Sequence, residues 1–219
     1  MKVYSKKTSF TPSEILEIFK EQHRLCTPLD IEADSSIQLD KNSTIRDWRI
    51  ANDLVGWRKL GDFINKEFKI EISKEQWKEI LEPSEERRLW EVCKLISGRA
   101  IKIEAIPIKI FGEECITASM FKVLKRNLKE REVDVSQLKP SSYLKEYLSN
   151  NYEEVIMEIT RYGVIVIEEL VIRRKLDKRS FWDRINIFDS DSHEIIPIGV
   201  ETFREIIEKV LNEKRIACA

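Results

Sequence analysis

The chain has 219 residues, 42% hydrophobic and 35% charged, with 38 Lys and Arg against 39 Asp and Glu. That apolar share is enough for a packed core and excludes a disordered chain. The near-zero charge balance argues against a dedicated nucleic-acid binder, which is ordinarily basic, and six Gly and six Pro exclude collagen-like and Gly-rich-loop architectures. The length suggests one or two domains. No window approaches 18 apolar residues, so no spanning helix is expected, and no leader segment is read at the N-terminus. Cys26, Cys93, Cys115 and Cys218 are far apart and form no C-x-x-C pair, so a cytoplasmic protein with reduced thiols is expected. His23 and His193 are isolated.

In chain order, Thr11-Pro12-Ser13-Glu14 predicts a capped helix whose apolar face is Ile15, Leu16, Ile18 and Phe19. Residues 26–42 lack periodicity and read as a long connection. Ser43-Thr44 is suited to capping a short helix with Ile45 and Trp48. A longer helix follows, with Leu54, Trp57, Leu60, Phe63, Ile64 and Phe68 at spacings of three and four. Phe68 to Ile72 alternates and predicts a short extended piece. Ser73-Lys74-Glu75-Gln76 starts another helix, stopped by Pro83, and Ser84 is placed to cap the next, which carries Leu89, Val92, Cys93 and Ile96 up to Gly98.

From Ala100 to Phe111, isoleucines interleave with Lys and Glu around Pro107, predicting a linker or edge strand. Helical spacing resumes at Ile116, Met120, Phe121, Leu124 and Leu128. It recurs after Pro140-Ser141-Ser142 with Leu144, Tyr147 and Leu148, and again over 152–162. Residues 164–172 satisfy both strand and helix patterns. Ile185 to Phe188 reads as a strand, and a final helix carries Phe203, Ile206, Ile207, Val210 and Leu211.

Two stretches repeat. Leu39 to Trp48 aligns without gaps on Leu138 to Tyr147, and Leu89 to Cys93 corresponds to Phe203 to Ile207. The expected fold is therefore mainly α, two small helical bundles in tandem with a minor β component in the second half: residues 1–98, a linker or edge strand at 99–114, and a possibly repeat-related domain over 115–219.

The order of features from 11 to 97 resembles an acyl carrier protein, a four-helix bundle with a long loop after its first helix. Asp53-Leu54, the run Lys66 to Ser73 and the closing helix Leu89 to Ile96 follow that layout. In that family the second helix opens at Asp-Ser-Leu and the Ser bears the phosphopantetheine arm. Here the motif reads Asn52-Asp53-Leu54, with no serine between Asp and Leu, and Asn150-Asn151-Tyr152 in the second half offers none either. The resemblance thus implies the carrier fold without its prosthetic group.

Other chemistry is sparse. Adjacent acids such as Glu85-Glu86, Glu113-Glu114, Glu153-Glu154 and Glu168-Glu169 diverge by about 100° on a helix and form solvated faces. Asp189, Asp191 and His193 are the candidate metal ligands, in a cluster that a metal-dependent hydrolase would use, although a strand-ending loop accounts for it more simply. Arg173-Arg174-Lys175 with Lys178, Arg179, Phe181 and Trp182 reads as a solvated connector. Trp90 is out of phase with Leu89 and Cys93 and, beside Arg87 and Arg88, is a candidate protein interface. The functional expectation is a non-catalytic protein-interaction or regulatory module that binds another protein, with no cofactor, nucleic acid or membrane. The alternatives are the small enzyme at 189–193 and a carrier modified at an unexpected serine.

Overall fold

The computed structural model describes residues 4–174 and 193–217. Among them are nine α-helices and three two-stranded antiparallel sheets, so the chain is mainly α with a minor β component. Helix α1 (Pro12–Cys26) opens on the expected capping box: the Glu14 N–H donates to Thr11 Oγ1 at 3.2 Å, and the Thr11 N–H donates to the Glu14 carboxylate at 2.8 Å. A 3₁₀ turn (Thr27–Leu29) and a long loop lead to α2 (Ile45–Ala51), capped by Thr44 through a second box with Asp47. Then come α3 (Trp57–Phe68), α4 (Lys74–Leu81), capped by Ser73, and α5 (Leu89–Ser97). Past residue 98 lie α6 (Ile116–Glu130), α7 (Leu144–Asn150), α8 (Tyr152–Thr160) and α9 (Phe203–Ala217).

The strands depart from expectation in position. β1 (Ser5–Ser9) lies in the first half and pairs with β2 (Ile101–Ala105); β3 (Ile108–Ile110) and β4 (Glu113–Cys115) form a tight hairpin; β5 (Glu169–Arg174) pairs with β6 (His193–Ile198). Ser-Lys-Lys-Thr-Ser has no apolar alternation, so β1 exists only because β2 supplies its ladder. Conversely, Phe68 to Ile72 is not a strand. Lys69 ends α3 in the left-handed region at φ 54°, and the Asn65 side chain satisfies both backbone groups of Ile72, leaving nothing for a ladder to bond. Ser84 is not the cap of α5; that helix starts at Leu89 behind Arg88. The ambiguous 164–172 resolves as strand from Glu169 onward. The strand expected at 185–188 lies outside the described residues.

Buried apolar side chains fall into two clusters, one centred on Ile15, Trp48, Ile64, Trp77 and Leu89, the other on Leu124, Leu144, Ile156 and Phe203. The aligned segments make the same backbone contacts. Ile45 N–H donates to Arg87 O at 2.9 Å and Leu89 N–H to Ser43 O at 2.9 Å; at the aligned positions Leu144 N–H donates to Glu201 O at 2.8 Å and Phe203 N–H to Ser142 O at 3.3 Å. Ser43 Oγ accepts from the Asp40 N–H at 2.8 Å, and Ser142 Oγ from the Lys139 N–H at 3.0 Å. These two serines therefore close the turn before each short helix and are not its cap. Helix α1 joins the clusters: Leu25 sits in the second, and Arg24 donates to the carbonyls of Ile167 and Glu168 at 2.5 and 2.7 Å.

Candidate functional site

A cleft of about 920 Å³ lies between the two clusters. β1 and β2 wall one side, the end of α3 another, and α6 with the end of α8 the rest. The first half contributes Lys6, Lys7, Lys66, Lys69 and Lys102. The second contributes Arg126, Arg131 and Arg161. Four glutamates face these eight cations: Glu67, Glu104, Glu130 and Glu158. In a chain of nearly balanced charge, the cleft is thus clearly positive.

At its base is a buried ionic knot. Arg131, just past α6, grips the Glu67 carboxylate of α3 with both terminal nitrogens, one at 2.8 Å, and its Nε lies 3.5 Å from Glu158 Oε2 on α8. Asn127 Nδ2 donates to Glu158 Oε1 at 2.8 Å. Glu158 is 2% exposed, and its Oε2 accepts no hydrogen bond. Burial pushes the Glu158 carboxyl above its usual range, against the opposing pull of Arg161, Asn127 and Arg131. For Arg131, burial alone would lower the guanidinium; its bonds to Glu67 and the charge of Glu158 outweigh that and hold it above its ordinary value.

A second network lines the mouth. Lys102 Nζ lies 2.6 Å from Glu14 and 3.0 Å from Glu104, which also pairs with Lys6 at 3.2 Å; Lys69 pairs with Glu130. Lys7 and Lys66 are exposed and have no carboxylate partner among the described residues. They are the cations free to meet a ligand.

The folded chain carries the Glu158 proton to higher pH than the unfolded chain does. From the ordinary value of 4.5 up to the raised value, the folded state therefore binds more protons, and this residue's contribution to stability falls as pH rises. Glu158→Gln is expected to remove that slope from urea titrations run between mildly acidic and mildly alkaline pH. The variant should change stability by less than about 1 kcal/mol at neutrality, because Arg131 keeps Glu67. An unchanged slope would show that Glu158 is ionised throughout.

Among the described residues the cleft lining holds no serine, threonine, cysteine or histidine, and its one hydroxyl is that of half-buried Tyr162. Burial and its neighbours push that phenol far above its usual range. Among the described residues, no three His, Cys, Asp or Glu side chains are gathered to hold a metal. Asp189 and Asp191 lie outside the described residues, as do Lys175 to Trp182, and of His193 only the backbone, at the start of β6, is described. His23 is buried, with Nε2 2.8 Å from Ile37 O and Nδ1 2.8 Å from the Thr27 hydroxyl. Arg88 donates to Asn42 O at 2.6 Å and Arg87 to Glu82 O at 3.2 Å, while Trp90 is half-buried against the first cluster with Lys41 4.8 Å above its ring. Arg88 and Trp90 thus meet the 39–44 turn, while Arg87 bonds back to the α4–α5 connection. The head of α3 carries Gly56, and no Ser or Thr occurs from 45 to 72.

Sequence reasoning did not find Glu67, Arg131 or Glu158. A signal was present: Ile64-Glu67-Phe68 and Val155-Glu158-Ile159 each place an acid in the buried phase of an amphipathic helix. Comparisons with protein-family models, with curated proteins and with solved structures find no match to this chain. No helix among the described residues is long and apolar enough to cross a membrane.

Proposed function

We propose that the chain is a non-catalytic, cytoplasmic protein-interaction module of two related helical bundles in tandem, whose working surface is the cation-lined cleft and whose partner offers an acidic segment. The observation that carries this is the excess of cations over carboxylates in a cleft without nucleophiles, with Lys7 and Lys66 exposed and unpaired among the described residues. The recurrence of the same backbone contacts at 43–45 with 87–89 and at 142–144 with 201–203 supports descent of the halves from one unit. The carrier-like layout of the first half accords with such a unit, and the absence of a hydroxyl from 45 to 72 accords with a role that uses no tethered arm.

The test is fluorescence anisotropy of a labelled oligo-glutamate peptide. Binding should weaken as salt rises. The double variant Lys7→Glu/Lys66→Glu should bind about tenfold more weakly or worse, while Arg173→Glu, exposed on β5 outside the cleft, should match the wild type. Equal binding by the double variant would remove the cleft from the reading.

A further inference from the structure

The hairpin β3–β4 turns through two residues, Phe111 and Gly112, between the paired Ile110 and Glu113. Both have positive φ, 50° and 92°. Glycine adopts that conformation freely, whereas for a bulky aromatic it is uncommon and strained. Asn or Asp is the residue such a turn favours. The Phe111 ring nevertheless sits there fully exposed, next to a partly exposed Ile110, so among the described residues no packing accounts for its choice. Beside it stand Glu113 and Glu114, exposed and without an ion pair among the described residues; exposed Lys109 lies across the ladder from Glu114, so the hairpin carries a net negative charge. The tip is thus an apolar knob with two carboxylates.

The cleft is its complement. Alongside Lys7 and Lys66 it presents Ile101, which is 51% exposed, with Ile103, Ile116 and Met120 behind. The tip does not occupy the cleft of its own chain: Pro107 and Ile116, which flank the hairpin base, line that cleft, and none of residues 108–115 does. We infer that the Ile110–Glu114 tip of one copy docks in the basic cleft of a second copy. The contact is head-to-tail, so each copy offers one knob and one socket, and association proceeds to a ring or an open chain. This rests on the cleft being the working surface, and names a second copy of this chain as an acidic-apolar occupant.

Sedimentation velocity from micromolar to submillimolar concentration tests it. The wild type should associate as concentration rises. Phe111→Asp, which suits the turn and so preserves the fold, and Lys7→Glu/Lys66→Glu should each associate about tenfold more weakly or worse. Mixed together, the two should form a one-to-one heterodimer, because the first retains the socket and the second the knob. A wild type that stays monomeric, association that survives either variant, or a mixture without heterodimer would overturn the inference. If oligo-glutamate still binds the wild type and Phe111→Asp in those cases, the cleft reading stands without it; if that peptide also fails to bind, the cleft reading fails as well.

Discussion

Arg131→Met is expected to cost about 3–5 kcal/mol of stability at neutral pH, the range found when one partner of a buried ion pair is removed. Arg131 is the single cation in hydrogen-bond or ion-pair contact with both Glu67 and Glu158 among the described residues, and both acids are almost wholly buried. Without it, two carboxylates face one another across the seam between α3 and α8, with Arg161 acting on Glu158 only through its charge. The sign of the pH dependence follows. Glu158 already titrates above its ordinary range, and loss of a cation that lowers it moves it further up. The variant's deficit should therefore grow as pH rises above the ordinary carboxyl range and shrink as pH falls towards it. Adding Glu158→Gln to Arg131→Met should restore part of the loss, since the two act through one network. Urea unfolding of the four species at two pH values measures this. A cost below about 1 kcal/mol with no pH dependence would mean that water solvates these acids well enough to replace the arginine.

Trp77→Ala in the first cluster and Phe203→Ala in the second should each cost about 3–5 kcal/mol. Trp77 is 1% exposed and lies on the bare backbone of Gly61, where a Cβ would come within 2.6 Å of the indole; its Nε1 donates to Asn65 Oδ1 at 3.2 Å. Truncation thus opens a cavity and removes a partly buried hydrogen bond. Phe203 is fully buried and meets Tyr147 edge-on at 5.2 Å, so its loss empties the centre of the second cluster. Although the two sites belong to separate clusters, unfolding should remain one transition, because α1 gives Ile15, Ile18 and Phe19 to the first cluster and Leu25 to the second. Four of the five tryptophans, Trp48, Trp57, Trp77 and Trp90, lie in the first half, so in a Trp182→Phe background fluorescence reports that half alone, whereas far-UV circular dichroism reports helices of both. Coincident curves in Phe203→Ala would support a single cooperative unit. A dichroism change that precedes the fluorescence change would show that the halves unfold separately.

What could be read from residues depended on range. The capping box at Thr11, the cap at Ser73 and the three-four spacing of α1, α5, α6 and α9 concern groups within a few residues of one another, and the structure has them as expected. Of the Ser43-Thr44 pair expected to cap a short helix, Thr44 caps it and Ser43 closes the turn before it, as Ser142 does in the second half; the choice between a serine and its neighbour turns on backbone angles that composition does not encode. Phe68 to Ile72 had strand alternation and no strand, because Asn65 took up the backbone groups a ladder would need.

By itself the sequence determined the helices, their buried faces and the likeness of 39–48 to 138–147, all of which follow from local propensity and period. Only the tertiary structure decided that β1 finds β2 across the whole first bundle of helices, that Glu67, Arg131 and Glu158 meet, and that eight cations from separate elements surround one cleft. The physical reason is that charges and strand edges are satisfied by whatever folding brings alongside them. A residue's own neighbours in sequence carry no record of that encounter.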